Sequence, residues 1–144
     1  MEKGLIRVSV IAFCHDGNGN YLLSKRSAAC RDEQGKWEPV AGGGLKFGET
    51  AEDATRREIK EEGCADVLTL EFLGYRDVFR EHDGNPTHWL AMDFRALINP
   101  AEAKIGEPHK CDEQRWVTIE ELEKMDDLHS QFPIFIEKYR DVLI

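Results

Sequence analysis

Cysteine is scarce in this chain, and what there is lies scattered. Cys14, Cys30, Cys64 and Cys111 are spread through 144 residues without a C-x-x-C pair. That excludes the disulfide framework of small secreted domains, and Cys14-His15 lacks the second ligand pair of a structural zinc site. Lone thiols of this kind suit a reducing cytoplasm, which is the expected location. No apolar run approaches the roughly 18 residues of a membrane span, and no signal-peptide core is present, so no membrane association is expected. Positive charge is also short: 19 Lys and Arg stand against 28 Asp and Glu, for a net charge of −9. Without a basic stripe to meet a phosphate backbone, a nucleic-acid polymer is not an expected partner. A G-x-S-x-G elbow and a Walker A loop are both missing, so nothing points to a serine nucleophile or a P-loop. Repeats, low-complexity runs and linkers are missing too. The expected organisation is one domain over residues 1–144, long enough to bury a core.

What the chain does have is concentrated between Gly43 and Glu62, GGLKFGETAEDATRREIKEE. A helix starting near Thr50 places Ala51, Ala54, Thr55, Glu58, Glu61 and Glu62 within an arc of roughly 120°. That arc is the expected inward stripe. Acidic and basic runs on helices are usually solvated faces. Here Glu52, Asp53, Arg56 and Lys60 already supply that face on the opposite side. Three carboxylates on an inward face repel one another and lose solvation, and they stay ionised only beside compensating cations. A hard divalent cation with oxygen ligands fits that need. Val40 to Gly44 permits close backbone approach, since no Cβ intervenes at the glycines. Thr50 is a fair N-cap with Asp53 at the third helical position, and Arg57 reaches Glu61 at i+4.

The spacing itself is distinctive. Gly43, five residues, Glu49, seven residues, Arg57-Glu58-Ile59, one residue, Glu61-Glu62 resembles the signature of the Nudix hydrolase superfamily. Its chance occurrence is roughly 10⁻⁵ to 10⁻⁴ in a chain this long and this rich in Glu. Two positions depart from the family pattern. Cys64 stands where Gly is usual, and Thr55 where a small aliphatic residue is common; both bear on packing at the helix, not on metal-binding oxygens.

The resemblance implies an α/β protein with the Nudix fold, an α/β/α sandwich around a mixed β-sheet. It implies that Glu58, Glu61 and Glu62, with the carbonyl of Gly43, ligate Mg²⁺ or Mn²⁺. Glu49 supports the site or completes a metal shell, and Arg57 holds a carboxylate in place. One of these Glu residues, or a Glu elsewhere, is the general base. Glu113, in a loop before an aromatic-containing strand, is a further candidate ligand or base. The implied partner is a small molecule containing a nucleoside diphosphate, and family members are often homodimers. The leading reaction is hydrolysis of a nucleoside triphosphate or related nucleotide to the monophosphate and pyrophosphate. A nucleotide-sugar or ADP-ribose diphosphatase, and a nucleotide-sensing domain without catalysis, stand as alternatives.

Candidates for substrate contact are thinner. Arg26 ends a strand near the expected cleft. Trp37 either packs the core or edges a base pocket, and Phe47 either stacks on a base or anchors its loop. His88 and Trp89 alternate, so only one of them faces inward.

Strands are expected over Leu5–Phe13, Tyr21–Lys25, Trp37–Val40, Leu68–Arg80, His88–Ile98 and Gln114–Val117. The link between the fourth and fifth is read at His82–Pro86. Thr118 caps a short helix over Ile119–Lys124, and Pro133 opens a last helix. Phe135, Ile136, Tyr139, Val142 and Leu143 are that last helix's expected buried side.

Overall fold

Strand β1, Ile6–His15, is apolar on both faces, which is the mark of a central strand. In the computed structural model, which describes residues 4–144, Val10, Ala12 and Cys14 are buried on one side of it and Phe13 on the other. Asp16 then reverses the chain by accepting the amides of Asn18 and Asn20 at 2.8 and 3.2 Å. Strand β2, Asn20–Arg26, returns, followed by β3, Trp37–Pro39, and β4, Ala41–Gly44.

The glycine-rich segment is therefore a strand and not the loop expected: Gly42 and Gly43 lie opposite Ile11 and Val10 of β1. Helix α1, Ala51–Gly63, comes next. The hairpin of β5, Val67–His82, and β6, Asn85–Ile98, follows. Its connection is tighter than predicted. Only Asp83 and Gly84 turn, at φ +52° and +80°, the backbone of a two-residue hairpin turn. Strand β7, Cys111–Thr118, begins three residues earlier than expected, and helices α2, Ile119–Glu123, and α3, Phe132–Leu143, complete the chain.

The sheet is mixed: β1 runs parallel to β6 from Ile6–His88 to His15–Leu97, while the other pairings are antiparallel. The layers form the expected α/β/α sandwich. Ile59 and Ala54 of α1 pack on the Val10–Ala12–Cys14 face. Phe132, Phe135, Ile136, Tyr139 and Leu143 of α3 pack with Phe13, Tyr21 and Leu23 on the other. Val142, expected in that buried row, is exposed, and Phe132 takes its place. The periodicity explains this: positions 132, 135, 136, 139 and 143 share one stripe, and 142 lies off it.

One feature of the topology opens the cleft. β1 meets β2 only where His15 faces Tyr21. Beyond that point the strands part, and β4 takes the place beside β1 over Ser9–Ala12. Among the described residues no helix is long and apolar enough to cross a membrane.

Candidate active site

Helix α1 presents the carboxylates because both of its ends are fixed. The hydroxyl of Thr50 accepts the amide of Asp53 at 3.1 Å. At the other end Cys64 takes the left-handed conformation, φ +59°, where the family pattern has Gly. The last carbonyls are capped from a distance: Glu62 and Gly63 accept the amides of Gly106 and Lys104, each at 3.1 Å. That docking brings the segment 104–110 over the helix C-terminus, and Glu107 with it.

Glu58 is buried, 8 % exposed, and lies so close to β4 that a Cβ on Gly43 would run into its carboxylate. Burial pushes its carboxyl up despite the neighbouring Arg57. Glu62, one turn on, accepts the amide of Gly42 at 2.9 Å. Burial dominates there too, and with Glu58 and Glu107 nearby the carboxyl is pushed up to about 8.

Arg57 organises the remainder. Its guanidinium grips Glu49 through two bonds of 2.9 and 2.8 Å, reaches Glu58 at 2.7 Å and touches Glu61 at 3.4 Å. The bonds from Arg57 hold the Glu49 carboxyl down at about 2. Glu61 is exposed, at the rim of the group. Among the described residues no three His, Cys, Asp or Glu side chains form a ready metal shell. Arg57 instead occupies Glu49, Glu58 and Glu61 with one guanidinium. The donors nevertheless fit a hard cation. They are all oxygens, two of the carboxylates are short of solvation, and Gly43 leaves its backbone open beside Glu58.

Two adjoining chambers open at the parting of β1 and β2. The larger, about 540 Å³, is walled by Gly42–Gly44, Glu62, Arg26, Glu107 and Lys110. The smaller, about 230 Å³, reaches Arg76, Arg80 and Phe135. Ser9, Ile11, Glu38, Pro39 and Trp89 line both, so the two are continuous.

Several expected contacts lie elsewhere. Trp37 is in the core, 1 % exposed, with the Arg115 guanidinium 4.4 Å over its ring. Phe47 is fully exposed and lines neither chamber. His88 bonds to Asp77 at 2.8 Å and stacks on Phe79, so the alternation turns Trp89 to the cleft instead. Arg26 does line the larger chamber, but its guanidinium is bonded to Glu38 and Asp32. Glu113 lies in β7 opposite Lys25, exposed and paired with Arg115 at 3.3 Å. The loop acid at the cleft is Glu107, which the sequence reading missed. The signal for it was Gly106, whose lack of a Cβ lets this loop settle on the carbonyl of Glu61.

Comparison with known proteins shows the family and the fold. The model of the NUDIX domain family matches residues 5–138. The nucleoside triphosphatase NudI of Enterobacter sp. (strain 638) is 31 % identical over 116 residues, spanning 76 % of this chain and 80 % of that protein. The crystal structure of a MutT NUDIX hydrolase from Burkholderia pseudomallei superposes with a TM-score of 0.77 at 26 % identity, covering 93 % of this chain and 98 % of that one. The NUDIX domain of Shewanella oneidensis NrtR, solved in complex with ADP ribose, shares the fold: its TM-score is 0.74 at 19 % identity, with 100 % of this chain and 91 % of that one covered.

Proposed function

The chain belongs to the NUDIX domain family and is a hydrolase of that family, and we propose that it cleaves a nucleoside triphosphate or related nucleotide to the monophosphate and pyrophosphate with Mg²⁺ or Mn²⁺. The observation that carries the proposal is the meeting of Glu58 and Glu62 with the Gly42–Gly43 backbone at the mouth of the larger chamber. The likeness to a protein named a nucleoside triphosphatase supports the choice of substrate class.

Glu58, Glu61, Glu62 and the Gly43 carbonyl would hold the cation, with Glu107 in reach of the same chamber. A bound divalent cation screens charge on the diphosphate oxygens and makes water more acidic. The protein's own residues supply the rest. Arg57 positions Glu58 and Glu61 and is itself anchored by Glu49. Lys110, at the wall of the larger chamber, attracts the phosphate chain. Glu62 or Glu107 takes the proton from the attacking water. We assign this activity to the whole chain, 1–144, working in the cytoplasm on the strength of its free thiols.

The test is a panel of nucleoside triphosphates, nucleotide sugars and ADP-ribose with Mg²⁺, scored for pyrophosphate against two monophosphate products. Triphosphate turnover with release of pyrophosphate is expected. Turnover confined to sugar nucleotides or ADP-ribose would overturn the substrate class, and tight binding without any turnover would overturn catalysis.

A further inference from the structure

Five arginine and lysine side chains line the two chambers, and four of them are already engaged. Arg76 donates to the wholly buried Asp93 from Nε at 2.6 Å and from Nη2 at 2.8 Å. Arg26 bonds Asp32 at 2.8 Å and Glu38 at 3.1 Å. Arg80 meets Glu33 at 2.7 Å and Asp32 at 3.1 Å, and Lys110 meets Glu107 at 3.6 Å. Arg31 is the fifth. It lines both chambers, and among the described residues its side chain forms no ion pair.

An exposed arginine is ordinarily a solvated charge, and Arg31 is exposed. Two observations set it apart. The first is its place. It lies on the wall common to the chambers, whereas Glu62 and Gly42–Gly44 line only the larger. The second is the loop that carries it, residues 27–36 between β2 and β3. That loop is fastened on both sides of Arg31. Before it, the Ser27 hydroxyl donates to the His109 carbonyl at 2.6 Å. After it, the Asp32 carbonyl accepts from Arg26 Nε at 3.1 Å. The Glu33 carboxylate accepts the amide and hydroxyl of Ser130 at 2.7 and 2.9 Å. The acids that follow Arg31 are thereby turned to other partners. The backbone is placed and the guanidinium is left free, so a ligand that meets it has one side chain to order.

A guanidinium is always charged, and its flat fork matches a phosphate. The position of Arg31 says which phosphate. On the nucleotide reading above, on which this inference rests, the leaving pyrophosphate lies at the Glu58–Glu62 end of the larger chamber. The phosphate nearer the smaller chamber is then the one that remains on the nucleoside. We propose that Arg31 binds that phosphate and so fixes the nucleotide across the two chambers. It is a specificity residue, and proton transfer stays with the carboxylates.

The experiment measures equilibrium binding of adenosine, guanosine, cytidine and uridine, and of their monophosphates, to the whole protein in chelator. Wild type should hold the best-bound monophosphate at least about tenfold tighter than its nucleoside. Arg31→Gln should erase most of that difference, and Arg31→Lys should keep part of it. The nucleosides should bind all three proteins alike. Arg31 has no ion pair to lose, so thermal melts of its variants should overlay that of wild type. Arg56→Gln removes the same charge from the solvent face of α1 and should leave binding unchanged. A monophosphate held no tighter than its nucleoside by wild type overturns the proposal. So does a difference that Arg31→Gln leaves intact, or an equal loss in Arg56→Gln. Rates with the triphosphates and Mg²⁺ separate the proposal from the hydrolase reading. Loss of monophosphate binding in Arg31→Gln, with no triphosphate turnover by wild type, supports the proposal and removes that reading. Pyrophosphate release at equal kcat/KM by wild type and Arg31→Gln keeps the reading and overturns the proposal.

Discussion

Replacing Glu62 by Gln should stabilise the metal-free protein, and only at higher pH. The Glu62 carboxyl is pushed from its usual 4.5 up to about 8, first by burial and then by Glu58 and Glu107, against the help of the Gly42 amide. The folded state therefore keeps a proton that the unfolded chain gives up. Stability from that proton is complete below about pH 4.5 and is lost as pH rises through about 8. Each pH unit inside the window costs about 1.4 kcal/mol for one fully linked proton. Allowing for relaxation and water entry, the loss across the window is on the order of 3 kcal/mol. Gln keeps the shape, still accepts from Gly42 and never ionises. In chelator, the two proteins should melt together near pH 5, and the variant should melt roughly 6 to 12 °C higher near pH 8.5. Thermal melts from pH 5 to 9 provide the assay. Adding Mg²⁺ should reverse the order, because a ligand that binds only the folded state raises the melting point of the protein that can hold it. Parallel melting curves for the two proteins at all pH values in chelator would refute the claim that Glu62 is a buried acid held above its ordinary range.

Further outcomes follow from the same geometry. Cys64 sits at φ +59°, so Cys64→Gly should relieve about 1 kcal/mol of backbone strain and raise the urea midpoint; a lowered midpoint would contradict the strained cap. Glu107 lines the larger chamber and Glu113 does not. Glu107→Gln should therefore lower kcat by at least about tenfold and Glu113→Gln by less than about twofold, in initial-rate assays with saturating Mg²⁺. The reverse ranking would return the loop role to Glu113.

The helix at the centre of the site could be read from the chain because its signals are local. Thr50 caps it, the spacing of Glu49, Arg57, Glu58, Glu61 and Glu62 is fixed, and polar residues on the other face account for solvent. The helix cap at Thr118 and the start of α3 near Pro133 were legible for the same reason. What failed to show depends on pairing across the sheet. Gly42 and Gly43 carry no side-chain alternation, so β4 looked like a loop until its register with Val10 and Ile11 was seen. The early start of β7 at Cys111 puts Glu113 in a strand, where it turns outward. Arg76 and Asp93 read as ordinary charges in two strands 17 residues apart. The Phe72–Gly74 irregularity in the hairpin sets which of its residues meet across it, and their side chains pair on the buried face. Trp37 was open between core and pocket, and the packing of α2 and α3 over it decides for the core.

The central claim is that Glu58 and Glu62, set against Gly42 and Gly43, work with Glu61 at the rim as a divalent-metal hydrolase site. Its most direct test is the rate of nucleoside triphosphate hydrolysis after exhaustive chelation, followed by titration with Mg²⁺ and then with Ca²⁺. The account predicts loss of turnover on chelation and recovery with Mg²⁺. It predicts little activity with Ca²⁺, whose longer and looser coordination positions water poorly. Full-rate hydrolysis in the absence of any divalent cation would contradict it.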